Sequence, residues 1–210
     1  MIRVFGLAAM MIVSLVACGC GSRARVMVPP CIDLKAHEVI GVIEFACTSE
    51  DALGPLATGR FIEAARQDQG MVRFMRLGTE GEVLQAVGQS RLDPAAFKAL
   101  GETYGVKTIV TGDLVLSEVR PNVTVLRSLT SIGFTADVQA TLAVQMVEAA
   151  SGASLWSRSA SATQQIGAAS FSANKDVSLR VDDPDKAYAG LVNHLVYTVT
   201  PEFRVTWERR

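Results

Sequence analysis

The side chains that could carry out chemistry are few and far apart in this sequence. His37 falls at the edge of a predicted strand and His194 on a predicted helix, which favours a structural role for both rings. The sequence has no Gly-x-Ser-x-Gly elbow for a serine nucleophile and no Gly-x-x-x-x-Gly-Lys loop for a phosphate. We therefore expect no enzymatic activity and no cofactor.

The densest group of carboxylates is Asp182-Asp183-x-Asp185, which could hold a cation. Asp183, however, directly precedes Pro184, the pattern of a helix N-cap before the first helical residue. Acidic residues in a first helical turn are also favoured by the helix dipole. We therefore expect no metal site here. Asp113, in a predicted strand, either hydrogen bonds to neighbouring backbone or faces a groove.

One cysteine lies in a recognisable motif. The first 17 residues carry a single charge, Arg3, followed by the apolar run Leu7–Ala17, as in a signal peptide. Leu15-Val16-Ala17-Cys18 is similar to a bacterial lipobox, in which the Cys thiol receives a diacylglyceryl group after cleavage. The alternative is an ordinary signal peptide with a chance cysteine. The motif predicts that residues 1–17 are removed and that Cys18 is lipidated.

Lipidation would hold the protein on a membrane without a spanning segment, because two acyl chains anchor a protein stably. Residue 19 is Gly rather than the Asp that marks inner-membrane retention in enterobacterial lipoproteins. In a double-membraned cell this predicts the periplasmic face of the outer membrane. Residues 18–35 are then a lipidated cysteine and a short tether, with a single periplasmic domain at 36–210.

The other cysteines are Cys20, Cys31 and Cys47. An oxidising compartment makes a disulfide between Cys31 and Cys47 one expectation, with Cys20 left over. No two cysteines have zinc-finger or Cys-x-x-Cys spacing.

Composition narrows the class of protein. The chain of 210 residues is 49% hydrophobic and 20% charged, as expected for a folded domain rather than a disordered chain. Twenty Lys and Arg residues against 21 Asp and Glu residues give a net charge of -1. The chain thus has no excess of positive charge with which to bind phosphates, so we expect no nucleic-acid partner.

Hydrophobic periodicity predicts an α/β (α+β) domain with a mixed sheet and the order β-α-β-α-α-β-β-β-α. The strands and helices that the patterns indicate are, in chain order, strand Glu38–Ala46, helix Gly54–Gln69, strand Met71–Arg76, a helix from Thr79 to about Gly88, a helix from Asp93 to Gly105, strand Lys107–Val119, an antiparallel hairpin of Asp137–Glu148 with Leu155–Thr163, and a helix from Asp183 to about Thr200.

Two segments do not fit these patterns, 120–136 and 164–182, both rich in Ser, Thr, Gly and Ala. They flank the predicted hairpin, so we expect them near each other at one end of the sheet. Plain loops of this length are uncommon inside a domain and are often functional.

The C-terminal residues combine aromatic rings with arginines, a composition that protein interfaces enrich. Such a tail could form a contact surface for a protein or for anionic lipid headgroups. The alternative is a tail that packs its rings on the domain and leaves its charges in water. The residues of the predicted surface are Phe203, Arg204, Trp207, Arg209 and Arg210.

Three stretches resemble a known family, the curli secretion component CsgG and relatives such as the penicillin-binding-protein activator LpoB. The first is Val39-Ile-Gly-Val-Ile-Glu-Phe45, and the second is Gly105-Val-Lys-Thr-Ile-Val-Thr-Gly112-Asp-Leu. The third, Leu142 to Leu155, is similar to the family's hairpin with Thr-Gly at its turn. With the lipobox, the resemblance covers about residues 36–200 at the level of the fold.

The resemblance implies a periplasmic domain similar to an anticodon-binding fold, anchored to the outer membrane and non-enzymatic. It implies action by protein contact in envelope assembly or secretion, with an envelope protein or further copies of the chain as partner. One alternative is an oligomeric channel subunit that contributes Pro121–Ala136 and Ser159–Asp176 as strands of a membrane barrel. Another is a regulator of a cell-wall synthase, similar to LpoB.

Overall fold

The computed structural model describes residues 25–48, 52–117, 120–125, 131–172, 177–181 and 184–209. They fold as two units, residues 30–205 and a small unit of 25–29 with 206–209. The regular elements are β1 (Arg25–Val28), β2 (Val39–Ile43), β3 (Ala46–Cys47), α1 (Leu53–Arg66), β4 (Arg73–Gly78), α2 (Glu80–Ala86), α3 (Pro94–Tyr104), β5 (Thr108–Leu116), β6 (Arg120–Val125), β7 (Ser131–Glu148), β8 (Ser154–Ser172), β9 (Val177–Val181), α4 (Pro184–Val199) and β10 (Thr206–Arg209).

The predicted α+β class with a mixed sheet is confirmed. The sheet has the order β4-β2-β5-β7-β8-β9. Strand β2 runs parallel to both β4 and β5, whereas the pairs β5–β7, β7–β8 and β8–β9 are antiparallel. The short strand β3 pairs parallel to β5, and β6 pairs antiparallel to β7.

The core of the larger unit lies on both faces of this sheet. The alternating residues Val138, Ala140 and Leu142 of β7 face α1 and α4 and are buried there. On the opposite face, α2 and α3 cover one end of the sheet in a second buried cluster that includes Ile109 and Leu100. Helices thus cover both faces at one end of the sheet and one face further along it.

The predicted ends of α2 and α3 are fixed by capping residues. Asp93 accepts a hydrogen bond from the Ala96 N–H at 2.9 Å, and Pro94 follows in the first turn of α3. Gly105 ends that helix with φ of 66°, the left-handed conformation that glycine adopts without strain. Thr79 and Glu82 form a reciprocal capping box at the start of α2.

The sequence left open whether the two segments without a clear pattern are loops or strands, and in their described parts they are strands. β7 begins at Ser131 and β8 continues to Ser172, and β6 and β9 pair along their outer sides. We call these residues, 120–125, 131–137, 164–172 and 177–181, the strand extension. Their proximity is confirmed, since Ser131 lies opposite Ser172. The ladder of backbone hydrogen bonds pairs these strands. A strand signal is present in Val177-Ser-Leu-Arg-Val181, where apolar and polar residues alternate, but it is short and was not recognised.

Within the described residues, none of the helices has the length and apolar character needed to cross a membrane.

Candidate interaction surfaces

Phe203, predicted as part of a tail surface, lies in the core of the larger unit. Its side chain is only 1% exposed, and its ring meets Trp156 edge-on with ring centroids 4.7 Å apart. A second edge contact joins Phe203 to Phe61 at 6.1 Å. Edge-to-face packing of this kind adds to the stability that ring burial provides. Phe203 therefore packs in the core and cannot form part of an exposed contact surface.

Arg204 is also committed within the larger unit, where it is 8% exposed. Its guanidinium lies over the ring of Tyr197 at 3.8 Å from the centroid. It donates to the Thr200 carbonyl at 3.2 Å and to the Tyr197 carbonyl at 2.6 Å. These carbonyls end α4, where a cation is favoured by the helix dipole. Arg204 therefore caps the C-terminal end of α4, and its guanidinium is already engaged within the protein.

A groove of about 750 Å³ runs between α1 and α4 beside this arginine. Arg60 and Glu63 on its rim pair with each other at 2.9 Å, and both are largely exposed. Arg66, further along α1, lies over the ring of Phe74 at 5.6 Å. These three charged side chains therefore already have partners within the protein. An exposed ion pair such as Arg60–Glu63 contributes little to the free energy of unfolding.

A second surface is the open sheet face formed by β5, β7 and β8 beyond the reach of α2 and α3. The register aligns Asp113 with Ala143 and Ser159, and aligns Thr111 with Gln145. These residues line a shallow depression of about 420 Å³. The structure thus places Asp113 on a groove, one of the two arrangements that the sequence allowed. The surface is polar and built from small side chains.

The predicted chemical residues do not converge. His37 lies with Nδ1 2.9 Å from the Thr108 hydroxyl, and His194 is exposed on α4. Asp182 and Asp183 lie outside the described residues. Across the part of the chain that the structure describes, no group of three or more His, Cys, Asp and Glu side chains is placed to hold a metal ion.

Two of the four cysteines lie among the described residues. Cys18 and Cys20 lie outside the described residues, so the lipidation of Cys18 remains a prediction. Cys31 is exposed and Cys47 is half-buried, and both are free thiols in this structure. The disulfide between them remains a prediction.

Among the residues that the structure describes, Glu82 and Asp93 have lowered pKa values, and both belong to helix caps. The backbone N–H of Thr79 and then its hydroxyl lower the pKa of Glu82. The backbone N–H of Ala96 lowers the pKa of Asp93. Hydrogen bonds to the charged form cause such shifts. These groups stabilise helix starts, and their titration indicates no catalytic site.

The strand extension is a third surface, in which the backbones pair in the sheet order β6-β7-β8-β9. Within the described residues, β6 pairs only with β7 and β9 only with β8. The outer edges of β6 and β9 therefore present backbone N–H and C=O groups to any strand that approaches.

The small unit is a two-stranded antiparallel ribbon of β1 and β10, which we call the terminal ribbon. Its register places Arg25 opposite Arg209 and Met27 opposite Trp207. Residues 18–35 are predicted to be a tether, and no local pattern predicts this pairing, because the paired residues lie about 180 positions apart in the sequence. The local signal for β1 is the short apolar run Val26-Met-Val28. Arg210 lies outside the described residues.

No family model matches the chain, and no curated protein sequence matches it. Among solved structures, the chain is similar to the PelC dodecamer of Paraburkholderia phytofirmans, with 12% identity over 86% of this chain and 96% of that one and a TM-score of 0.41. It is similar to a lipoprotein of Neisseria meningitidis, with 16% identity over 60% and 83% and a TM-score of 0.38. It is similar to the LpoB C-terminal domain of Salmonella enterica, with 11% identity over 64% and 84% and a TM-score of 0.35. Bacterial lipoproteins are thus among the structures that this chain resembles.

Proposed function

We propose that this protein is a non-enzymatic lipoprotein that acts by protein contact in assembly of, or secretion across, the cell envelope. Acyl chains on Cys18 hold it on the periplasmic face of the outer membrane, as the lipobox predicts. Its partner is a further copy of the chain or another envelope protein. The observation that carries the proposal is the strand extension with its two open edges.

The edges favour strand addition as the mode of contact. β6 has six residues and β9 has five, which is enough to pair with a strand of a second chain. Charged residues lie in all three edge strands, with Arg73 and Arg76 in β4, Arg120 in β6 and Arg180 in β9, so charge alone does not select one edge. The proposal places the partner at β6 and β9 because these strands belong to the strand extension.

The experiment places a photo-crosslinking amino acid at position 124 in β6 or 179 in β9, in cells that make the full chain. We expect crosslinked products at these positions, a ladder of multiples for a homo-oligomer or one heavier band for another protein. Position 102, exposed on α3, is the matched control and should give none. Equal yields at all three positions, or none at 124 and 179, would contradict the proposal.

The anchor is tested separately by labelling cells with radioactive palmitate. Wild-type protein should incorporate the label and Cys18→Ala should not, because the thiol is the acyl acceptor. A Cys18→Ala protein that still labels would show that Cys18 is not the lipidation site.

A second candidate is a ring-forming channel subunit that places the strand extension in a membrane. The finding that both pattern-free segments are strands rather than loops favours it. Detergent-extracted protein that forms stable rings and conducts ions in planar bilayers would support this candidate. A monomer that conducts no ions would exclude the channel candidate, and the proposed function by protein contact would stand.

A further inference from the structure

We propose that the terminal ribbon is a membrane-contact element, which binds anionic phospholipid headgroups beside the lipid anchor. The inference deepens the proposed function and rests on it for the anchor at Cys18. It concerns residues that the anchor motif does not include, and it assigns the tail arginines and Trp207 to one partner, a lipid surface.

The backbone register brings the relevant residue types to one face of the ribbon. In a two-stranded antiparallel pair, residues directly opposite each other lie on the same face, and so do alternate residues along each strand. Arg25 and Met27 of β1 thus share a face with positions 207 and 209 of β10. The acidic residue of β10, Glu208, lies opposite Val26 at a position of the other face.

The apolar pair on this face is open to solvent. Met27 is 56% exposed and Trp207 is 64% exposed, although each is the other's cross-strand neighbour. A two-stranded ribbon with four residue pairs gains little stability by itself in water. A partner that covers the Met27 and Trp207 side chains would stabilise it, and tryptophan is the residue that most favours the interface between headgroups and acyl chains.

The residues around Met27 and Trp207 include arginines, whose positive charges would attract an anionic surface. Arg25 and Arg209 lie opposite each other in the register, and Arg23 and Arg210 adjoin the two strands in the sequence. Guanidinium groups bind phosphate oxygens through paired hydrogen bonds. Clustered arginines next to an anchor are attracted to anionic headgroups within a Debye length. A phospholipid phosphate therefore fits this face better than an apolar or cationic partner.

Chain connectivity places the ribbon near the anchor. Arg25 lies seven positions after Cys18, a span of at most about 25 Å when fully extended. In the larger unit, the N–H groups of Cys31 and Ile32 donate to the Glu202 carbonyl at 2.9 and 3.1 Å. The amide of Gln69 then donates to the carbonyls of Ile32 and Phe203.

These hydrogen bonds hold the segment that follows β1 next to the segment that precedes β10. The C-terminal strand therefore pairs with the segment that leads to the anchor, and Trp207 and Arg209 come within reach of the membrane that holds Cys18.

The test uses tryptophan quenching by lipid. Full-length lipidated protein is reconstituted into phosphatidylcholine vesicles with or without phosphatidylglycerol, each containing a brominated phosphatidylcholine that quenches tryptophan on contact. The chain has two tryptophans, and Trp156 is packed against Phe203 in the core. We expect quenching of about half the emission in phosphatidylglycerol vesicles, and its loss in Trp207→Phe.

The charge requirement is tested with a double variant, Arg25→Gln with Arg209→Gln. Its quenching on phosphatidylglycerol vesicles should fall to the level on phosphatidylcholine alone. The matched control, Arg73→Gln with Arg76→Gln, removes the same charge from the exposed edge strand β4 and should quench like wild type. Equal loss in both variants would overturn the assignment to the ribbon.

Palmitate labelling of the same samples separates this inference from the proposed function. Labelled protein whose quenching is the same in wild type and Trp207→Phe overturns the membrane contact but leaves the anchor, as expected if a protein covers this face instead. Unlabelled protein that still shows Trp207 quenching supports the ribbon and overturns the anchor. Unlabelled protein without quenching overturns both.

Discussion

Strands β7 and β8 pass through two environments along their length. Between residues 138 and 146, every second side chain of β7 is buried against α1 and α4. In the strand extension the same two strands continue, but their neighbours are the short strands β6 and β9. The first part has buried side chains as well as the backbone ladder, and for the second part the structure describes the backbone ladder.

This difference indicates where the molecule has freedom to change partners. A packed strand cannot exchange its neighbours without exposing apolar surface, whereas a strand held at an open edge can add one at little cost. We therefore expect contacts with other chains at the strand extension. We expect substitutions to lower the free energy of unfolding most in the densely packed part.

The largest expected effect is a cavity in the packed part. Leu142 of β7 is fully buried, so Leu142→Ala should lower the free energy of unfolding by about 2–5 kcal/mol. Leu155 of β8 is the matched control, because it is 45% exposed; Leu155→Ala should cost less than about 1 kcal/mol. Urea denaturation of both variants measures the difference. Equal destabilisation would mean that packing does not distinguish the two positions.

Amide hydrogen exchange compares the two environments within a single strand. Amides of β7 between residues 138 and 146 should exchange only on global unfolding, because buried side chains hold them. Those between 132 and 136 should open locally and exchange at least about a hundredfold faster. Mass spectrometry of the full chain gives both rates. Uniform protection along β7 would contradict the comparison, unless it is lost on dilution, which would reveal a partner copy on the strand extension.

The same contrast explains what could be predicted from the sequence. The strand Val39–Ile43 is a continuous apolar run, and β7 alternates apolar and polar residues between 138 and 146. Both strands were predicted and are confirmed, because packing against helices selects apolar side chains at these positions. The caps at Thr79 and Asp93 are also local, and they were predicted from residue type and spacing alone.

The strand extension was harder to predict, because its pairing is made by backbone groups. Segments rich in Ser, Thr, Gly and Ala carry little information about pairing, since every residue has the same N–H and C=O. The pairing of Met27 with Trp207 joins opposite ends of the chain, which no local pattern encodes. The composition of the C-terminal segment is typical of an interface, which predicted Phe203 to be a surface residue. Its ring instead contacts Trp156 and lies in the core.

The smallest effect is expected at α2, which lies in the packed unit but depends strongly on hydrogen bonds. This helix has seven residues, and only Val83 and Leu84 are buried. Its start relies on Thr79, whose hydroxyl accepts from the Glu82 N–H, while the Glu82 carboxylate accepts from the Thr79 N–H at 2.8 Å. Thr79→Ala should therefore lower the free energy of unfolding by about 1 kcal/mol.

The charge on Glu82 makes this contribution depend on pH. Because hydrogen bonds from Thr79 lower the pKa of Glu82 in the folded protein, folding is favoured by the ionised form. The stabilisation is complete above the ordinary glutamate pKa and is lost as the pH falls through the lowered value. Urea denaturation at several pH values should show wild type more stable than Glu82→Gln at neutral pH, with the difference shrinking in acid. A difference that grows in acid would mean that the capping box does not act through the charged carboxylate.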